Sequence, residues 1–374
     1  MKISRRVLVG AGLVTAGLLY TASMVAWRDE AHPSGQPAVF EVRTHPVRTS
    51  AASQRLAAEW RALLGECNGS TDPEALRKRL AKLKAGWLEE DDLHLVAQTA
   101  AQLLRSGEDA ETGIPFKIGT GSSIRGWPSM RVFLLDVLAI TDPDLASAVA
   151  REVLASTNSA EEYAVALKPL VESGTWKASD AELADHFSRL LSRDDWQGRA
   201  GFLEALDLSR VVSSPATTEA LARWVDTSPQ AASAGEMALH ETAAQSPGLL
   251  VGLVSAEPTL FADQPDLRAG LMARAEISKE AQAVGVESYL KDTAVSSAEK
   301  EQFLALFPLR SATTGTRLYG SAPMPFERGK VAADDRAALE AVGRWKEDPA
   351  LSTLLPSLEA LEGRLEGWVR QAGD

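Results

Sequence analysis

The chain has 374 residues, a formal net charge of −12, 45% hydrophobic but only 6% aromatic residues, and one cysteine. A single cysteine excludes an intrachain disulfide and a cysteine-rich zinc site. Without Lys2, Arg5 and Arg6 the remainder stands at −15, and so acidic a body lacks the clustered Lys and Arg that a phosphate backbone needs, so nucleic acid is not expected as a partner.

Lys2, Arg5 and Arg6 precede an uncharged run from Val7 to Trp27, and Asp29 and Glu30 follow it. A helix over that run would reach about 30 Å, enough to cross a bilayer core. Positive charge before the run and acid after it predict a cytoplasmic N-terminus and an exported body. Ser4-Arg5-Arg6-Val7-Leu8-Val9 resembles a twin-arginine export motif, with Gly10 where that motif carries Lys. Residues 1–27 therefore read as a signal or anchor segment that contacts the membrane through residues 7–27. A retained anchor would hold the body at the outer face of the inner membrane, in the periplasm. A cleaved signal peptide is the alternative: Thr21-Ala22-Ser23 is a passable cleavage site, whereas Met24-Val25-Ala26 puts a bulky side chain where a small one is wanted. Residues 28–50 carry Pro33, Gly35, Pro37 and Pro46 without helical period and read as a tether spanning about 25 Å.

From residue 51 onward the pattern is a row of short amphipathic helices. Apolar spacing predicts them at 51–65, 72–85, 89–105, 128–140, 142–155, 159–173, 179–193, 197–209, 214–227 and 231–245. The series continues at 247–255, 265–276, 278–293, 296–307, 331–346 and 350–371. Asp142-Pro143 opens one, with Leu145, Val149 and Val153 on one face. Ser159 with Glu162 and Ser179 with Glu182 have the spacing of capping boxes, in which the Ser oxygen accepts from the first turn and the Glu reaches back. Ser214-Pro215 opens another. Pro169 inside the 159–173 segment predicts a kink or an early end.

The start signals Asp72, Asp142, Ser179, Ser214 and Ser246 fall at intervals of 70, 37, 35 and 32 residues. A beat near 35 is the length of two helices and two turns. These Asp-Pro starts with Ala, Leu and Val faces, over roughly residues 70–310, resemble the HEAT-like class of helical repeats. The resemblance implies a right-handed α-solenoid of stacked antiparallel helical hairpins used to bind partners, and it carries no residue-level site. The expected fold is all-α: a solenoid body at 51–310 interrupted by an irregular loop at 106–128, a second irregular loop at 311–330, and a C-terminal helical hairpin at 331–374. In that hairpin Leu351, Leu354, Leu358, Leu361, Leu365 and Trp368 form a seam opposite Val331, Leu339, Val342 and Trp345, suited to capping the array.

Motifs for chemistry are sparse. Gly119-Thr120-Gly121-Ser122-Ser123 lacks the preceding strand and the Lys-Ser/Thr of a phosphate-binding loop, and reads as a connection. His32, His45, His94, His186 and His240 form no metal-ligand spacing. Glu287-Ser288 resembles the Glu-Ser pair of lytic transglycosylases, but the Gly-Leu-Met-Gln region of that family is missing. Acidic runs such as Glu89 to Asp92 read as helix starts. No catalytic residue, metal ligand or cofactor is expected. The tryptophans read as plugs between helices, with a glycan-stacking edge as the rival. The two loops offer Arg125, Trp127, Arg317, Tyr319, Phe326 and Arg328, the Arg and aromatic types that anchor interfaces, with packing against the helices as the other reading. The functional expectation is a membrane-tethered, exported scaffold for a protein partner, one with a basic patch given the acidic body. The alternative is an exported all-α enzyme or binding protein acting on polysaccharide.

Overall fold

In the structure, a computed structural model, the described residues are 50–67, 72–172, 178–228, 232–310, 317–320 and 328–373. The apolar run, nearly all of the tether and Phe326 lie outside them. The fold is all-α. Its first helices are α1 (Ala51–Cys67), α2 (Pro73–Leu88) and α3 (Leu93–Ser106). Two short antiparallel strands follow, β1 (Lys117–Ile118) and β2 (Ile124–Gly126), and then α4 (Met130–Thr141), α5 (Pro143–Ser156), α6 (Ala160–Glu172) and α7 (Asp180–Leu191). Next come α8 (Ala200–Ala205), α9 (Leu208–Val212), α10 (Pro215–Thr227), α11 (Ala232–Gln245), α12 (Pro247–Ala256), α13 (Pro265–Met272), α14 (Glu280–Lys291) and α15 (Ser297–Leu306). The last two are α16 (Arg328–Glu347) and α17 (Leu355–Gly373).

The caps act as their residue types dictate. Asp72, Asp142, Ser179 and Ser214 each accept from backbone N–H groups of the turn they open. Ser246 makes no such bond, and only Ser214, with Thr217 in reply, completes a capping box. Glu162 and Glu182, the glutamates expected to answer back, do something else, and Glu299, three residues after the capping Ser296, does the same. Glu162 pairs with Arg131 of α4, Glu182 with Arg151 of α5, and Glu299 with Arg268 of α13, at 3.2, 2.7 and 2.7 Å. In each case the Arg stands 31 residues before the Glu, so the start of one helix is tied to the helix two before it.

Among the described residues, the principal helix contacts join each helix to the first, second or third helix after it. α4 is deeply enclosed: Met130, Val132, Phe133, Leu134, Val137 and Leu138 are fully buried among α2, α3, α5 and α6. Fully burying such side chains contributes about 1.5–3 kcal/mol each. Close approach also imposes glycine: a Cβ on Gly201 would lie 2.4 Å from the backbone of Ala160 and Glu161, where the start of α8 crosses that of α6.

Four departures from the periodicity have local causes. The segment predicted at 197–209 is two helices, α8 and α9, parted by a turn at Leu206 and Asp207, where Asp207 pairs with Arg210 at 2.7 Å. The last helix starts at Leu355 after a 3-10 turn, Pro349–Leu354, which places Pro356 in its first turn, where a missing N–H does no harm. α6 runs on past Pro169 to Glu172, so the proline stands in its last turn. The loop expected at 106–128 is ordered: Lys117 pairs with Gly126, and Glu111 bridges to Ser129. Its glycine-rich stretch is the hairpin tip, closed by Gly119 N–H to the Ser123 carbonyl at 2.7 Å.

α16 and α17 pack on each other, with Leu351, Leu354, Leu358, Leu361 and Leu365 buried against Ala338, Ala341, Val342 and Trp345. α17 also meets α15, where Arg364 donates to the Leu304 and Phe307 carbonyls at 2.9 and 2.5 Å.

The Arg268–Glu299 tie is the most buried, at 5% and 2% exposure. Both bonds are 2.7 Å, and Tyr289 donates to the same carboxylate at 2.8 Å. Removing one partner strands a buried charge, so Glu299→Leu should lower stability by about 3–5 kcal/mol. Arg268→Met with Glu299→Leu should recover most of that loss in denaturant unfolding. Additive losses in the double variant would show that the tie does not act as a pair.

Candidate binding groove at residues 317–320

Every principal contact between helices is local in the chain, but residues 317–320 cross it. They lie across α6, α8, α9 and α11, with Leu318 wholly buried and Tyr319 4% exposed. Tyr319 Oη donates to the Ala164 carbonyl at 3.0 Å, 155 residues away, and Lys168 Nζ donates to the Leu318 carbonyl at 3.2 Å. Arg210 donates to the Gly320 carbonyl at 2.7 Å while also pairing with Asp207. The Leu318 N–H, near the Glu204 carboxylate, offsets part of the upward shift that burial gives it. Arg317 pairs with Glu241 and touches Met237 Sδ at 3.8 Å.

Three acids therefore surround this segment: Glu204, Asp207 and Glu241. Burial pushes the Glu204 and Glu241 carboxyls above the usual range, against the pull of Arg317. Glu204 Oε2 is buried without a hydrogen-bond partner. The groove is thus built from side chains that grip a backbone (Lys168, Arg210), an acid for a guanidinium (Glu241) and room for an aliphatic and a phenol ring. That arrangement holds a turn of polypeptide, closed at Gly320 with φ +75°.

A cavity of about 320 Å³ is lined by Arg274, Glu276, Arg310, Lys330 and Asp334, among others. Arg310 pairs with Asp334 at 3.1 Å and Asp335 at 2.5 Å, and Lys330 with Glu276 at 2.8 Å. Beside it, His240 of α11 accepts from Arg274 Nε at 3.4 Å. Burial, with Arg274 adding to it, pushes the His240 pKa down to about 4.

The other candidate anchors fare differently. Trp127 is 3% exposed: its ring meets Phe133 edge-on at 5.6 Å, and its indole N–H donates to Asp136 at 2.7 Å. Lys84 reaches the same carboxylate at 2.6 Å. Burial still raises the Asp136 pKa, against Lys84 and the indole. Trp127 and Tyr319 are thus packed inside, where both side chains also satisfy interior acceptors. Arg125 is exposed on β2. Arg328 starts α16, and its side chain lies outside what the structure describes. The buried pair Lys84–Asp136 was not visible in the sequence, since 52 residues separate its members.

The described tryptophans are interior. Trp60, Trp87, Trp127, Trp196 and Trp345 are buried, and Trp224 and Trp368 are half-buried. Glu287 pairs with Lys291 at 2.5 Å on an exposed face of α14. Cys67 is half-buried, and burial raises its thiol pKa, away from the thiolate a nucleophile requires. Among the described residues no cluster of three or more His, Cys, Asp or Glu could hold a metal ion, and no helix is long and apolar enough to cross a membrane. No family model, curated protein or solved structure matches this chain.

Two outcomes follow from this geometry. Trp127→Ala removes a buried ring and a donor to Asp136, so it should lower stability by about 3–5 kcal/mol, whereas Arg125→Ala should change it by less than about 0.5 kcal/mol. Thermal melts of the two variants compare them directly, and a near-neutral Trp127→Ala would overturn the packing assignment. For His240 the folded pKa lies below the unfolded value of about 6.5. Its neutral form therefore favours the fold above pH 6.5, and that contribution is lost as pH falls from there through about 4. His240→Gln should flatten the stability profile across this window, and an unchanged slope would refute the assignment.

Proposed function

We propose that this chain is an exported scaffold, tethered at its N-terminus to the outer face of the inner membrane, that binds a protein partner and has no catalytic activity of its own. The body is a right-handed α-solenoid of stacked antiparallel helical hairpins, and the partner docks at the groove around residues 317–320. The observation that carries this reading is that the groove already holds a short turn of polypeptide, gripped through its backbone by Lys168 and Arg210. Local helix packing and the recurring 31-residue Arg–Glu tie support the solenoid, because each unit contacts mainly its neighbours. The acids of the groove favour a partner with basic side chains. The charge bias about residues 7–27 supports export.

Met237 tests the reading, because it is 43% exposed and touches Arg317. A photo-crosslinking residue at position 237 of the full chain, irradiated in the native host, should yield a discrete adduct with one protein. The same probe at Val284, 59% exposed on α14, should not. Glu241→Lys should abolish the adduct at 237. Equal labelling at both sites, or none at 237, would sink the proposal.

A further inference from the structure

We infer that residues 317–320 are a resident peptide ligand of the groove, and that the external partner binds by displacing them with a segment of the same chemistry: an arginine, an aliphatic residue and a tyrosine in succession. This deepens the proposed function and rests on its assignment of the groove.

Three observations lead here. First, the array recognises the backbone of the segment, not only its side chains: the Leu318 and Gly320 carbonyls each meet a charged side chain of a helix. Bonds of this kind do not depend on the peptide being joined to the chain that grips it. Second, the gripping residues Ala164, Lys168, Arg210 and Glu241 come from three helices, whereas the residues gripped are consecutive. The site is preformed by the fold, and one short linear motif fills it. Third, the charges match only when the groove is filled by a basic segment. Arg317 faces Glu241 and acts on Glu204, and Asp207 is already held by Arg210. With Arg317 withdrawn, Glu204 and Glu241 are left together in a half-buried site, so an empty groove draws in a cation. The buried, unpaired Glu204 Oε2 offers an incoming guanidinium or amine a further acceptor that the resident segment does not use.

A tethered ligand competes at an effective concentration on the order of millimolar, so it lowers the apparent affinity of any free peptide by the fraction of time the groove is filled. The resident segment therefore sets a threshold, which a partner passes by presenting the motif at high local concentration or with added contacts.

The test uses the full chain and a fluorescein-labelled peptide with the sequence of residues 314–323, titrated by fluorescence anisotropy. Wild type should bind it weakly. Arg317→Ala, which removes the clamp but leaves both buried residues in place, should bind it about tenfold more tightly because the internal competitor is weakened. Adding Glu241→Gln to that variant should remove the gain, and a peptide with Arg replaced by Glu and Tyr by Ala should not bind. Tyr319→Ala is a second competitor lesion, judged only if its circular dichroism melt stays cooperative. If Arg317→Ala stays folded and binds no better than wild type, the inference is overturned, whatever the crosslinking at Met237 shows. If wild type forms a concentration-dependent dimer that the peptide dissolves, the occupant is a second copy and the external partner is refuted. Peptide binding with no adduct from position 237 in the host would uphold the groove's chemistry while defeating the proposed scaffold function.

Discussion

Helices of ten to fourteen residues, such as α5, α10 and α15, are marginal alone in water, so each depends on a neighbour to bury its apolar stripe. Burial can choose a face without choosing a partner, since Ala and Leu stripes resemble one another. The Arg–Glu ties supply that choice. Arg131, Arg151 and Arg268 each reach the third residue of the helix two further on, where a capping serine has just fixed the first turn. A buried tie of this kind adds little net stability over a packed apolar pair. What it adds is register: a helix shifted by one turn would leave Glu299 without Arg268 in a site 2% exposed.

Much of the helical frame was legible from the sequence, because caps are local. Asp72, Asp142, Ser179 and Ser214 mark starts whose bonds are closed within three residues. The cap signals recur only at a loose beat near 35. The spacing of 31 between Arg and Glu was hidden because the Glu of each Ser-x-x-Glu also fits a capping box. The tertiary pairing won: an arginine is a stronger partner for a half-buried carboxylate than one N–H already close to water. The break between α8 and α9 was missed for a similar reason. Leu206 and Leu208 are buried as a continuous helix would have them, and Asp207 is turned by Arg210 in a way no periodicity reports.

The groove was less legible than the frame. Arg317 and Tyr319 stood out as chemically rich residues in a loop, yet nothing local shows that Tyr319 reaches Ala164 or that Arg317 reaches Glu241, across 155 and 76 residues. Trp127 illustrates the same limit from the other side. Its position after a glycine-rich stretch suggests exposure, but Gly126 lies so close to Pro115 (a Cβ there would fall 2.0 Å from the Pro115 carbonyl oxygen) that the hairpin folds flat and turns the indole toward Asp136. In both cases the side-chain type was informative and its direction was not.

Several buried charges are closed pairs or triads, as in Lys84 with Asp136 and Trp127, or Arg268 with Glu299 and Tyr289, whereas Arg310, shared by Asp334 and Asp335, leaves its Nε without a partner. Around residues 317–320 the acids outnumber what stability alone would select, since Glu204 and Glu241 share one guanidinium and one carboxylate oxygen is left over. A chain optimised only to hold Leu318 and Tyr319 in place would use apolar contacts there, which carry no desolvation penalty. Retaining half-buried acids whose pKa values are pushed upward keeps the site poised to gain from a cation, and it does so where the seated segment joins helices far apart in sequence. Local inconsistency of this kind is what marks Glu204 and Glu241 as residues of a candidate site rather than of the core alone.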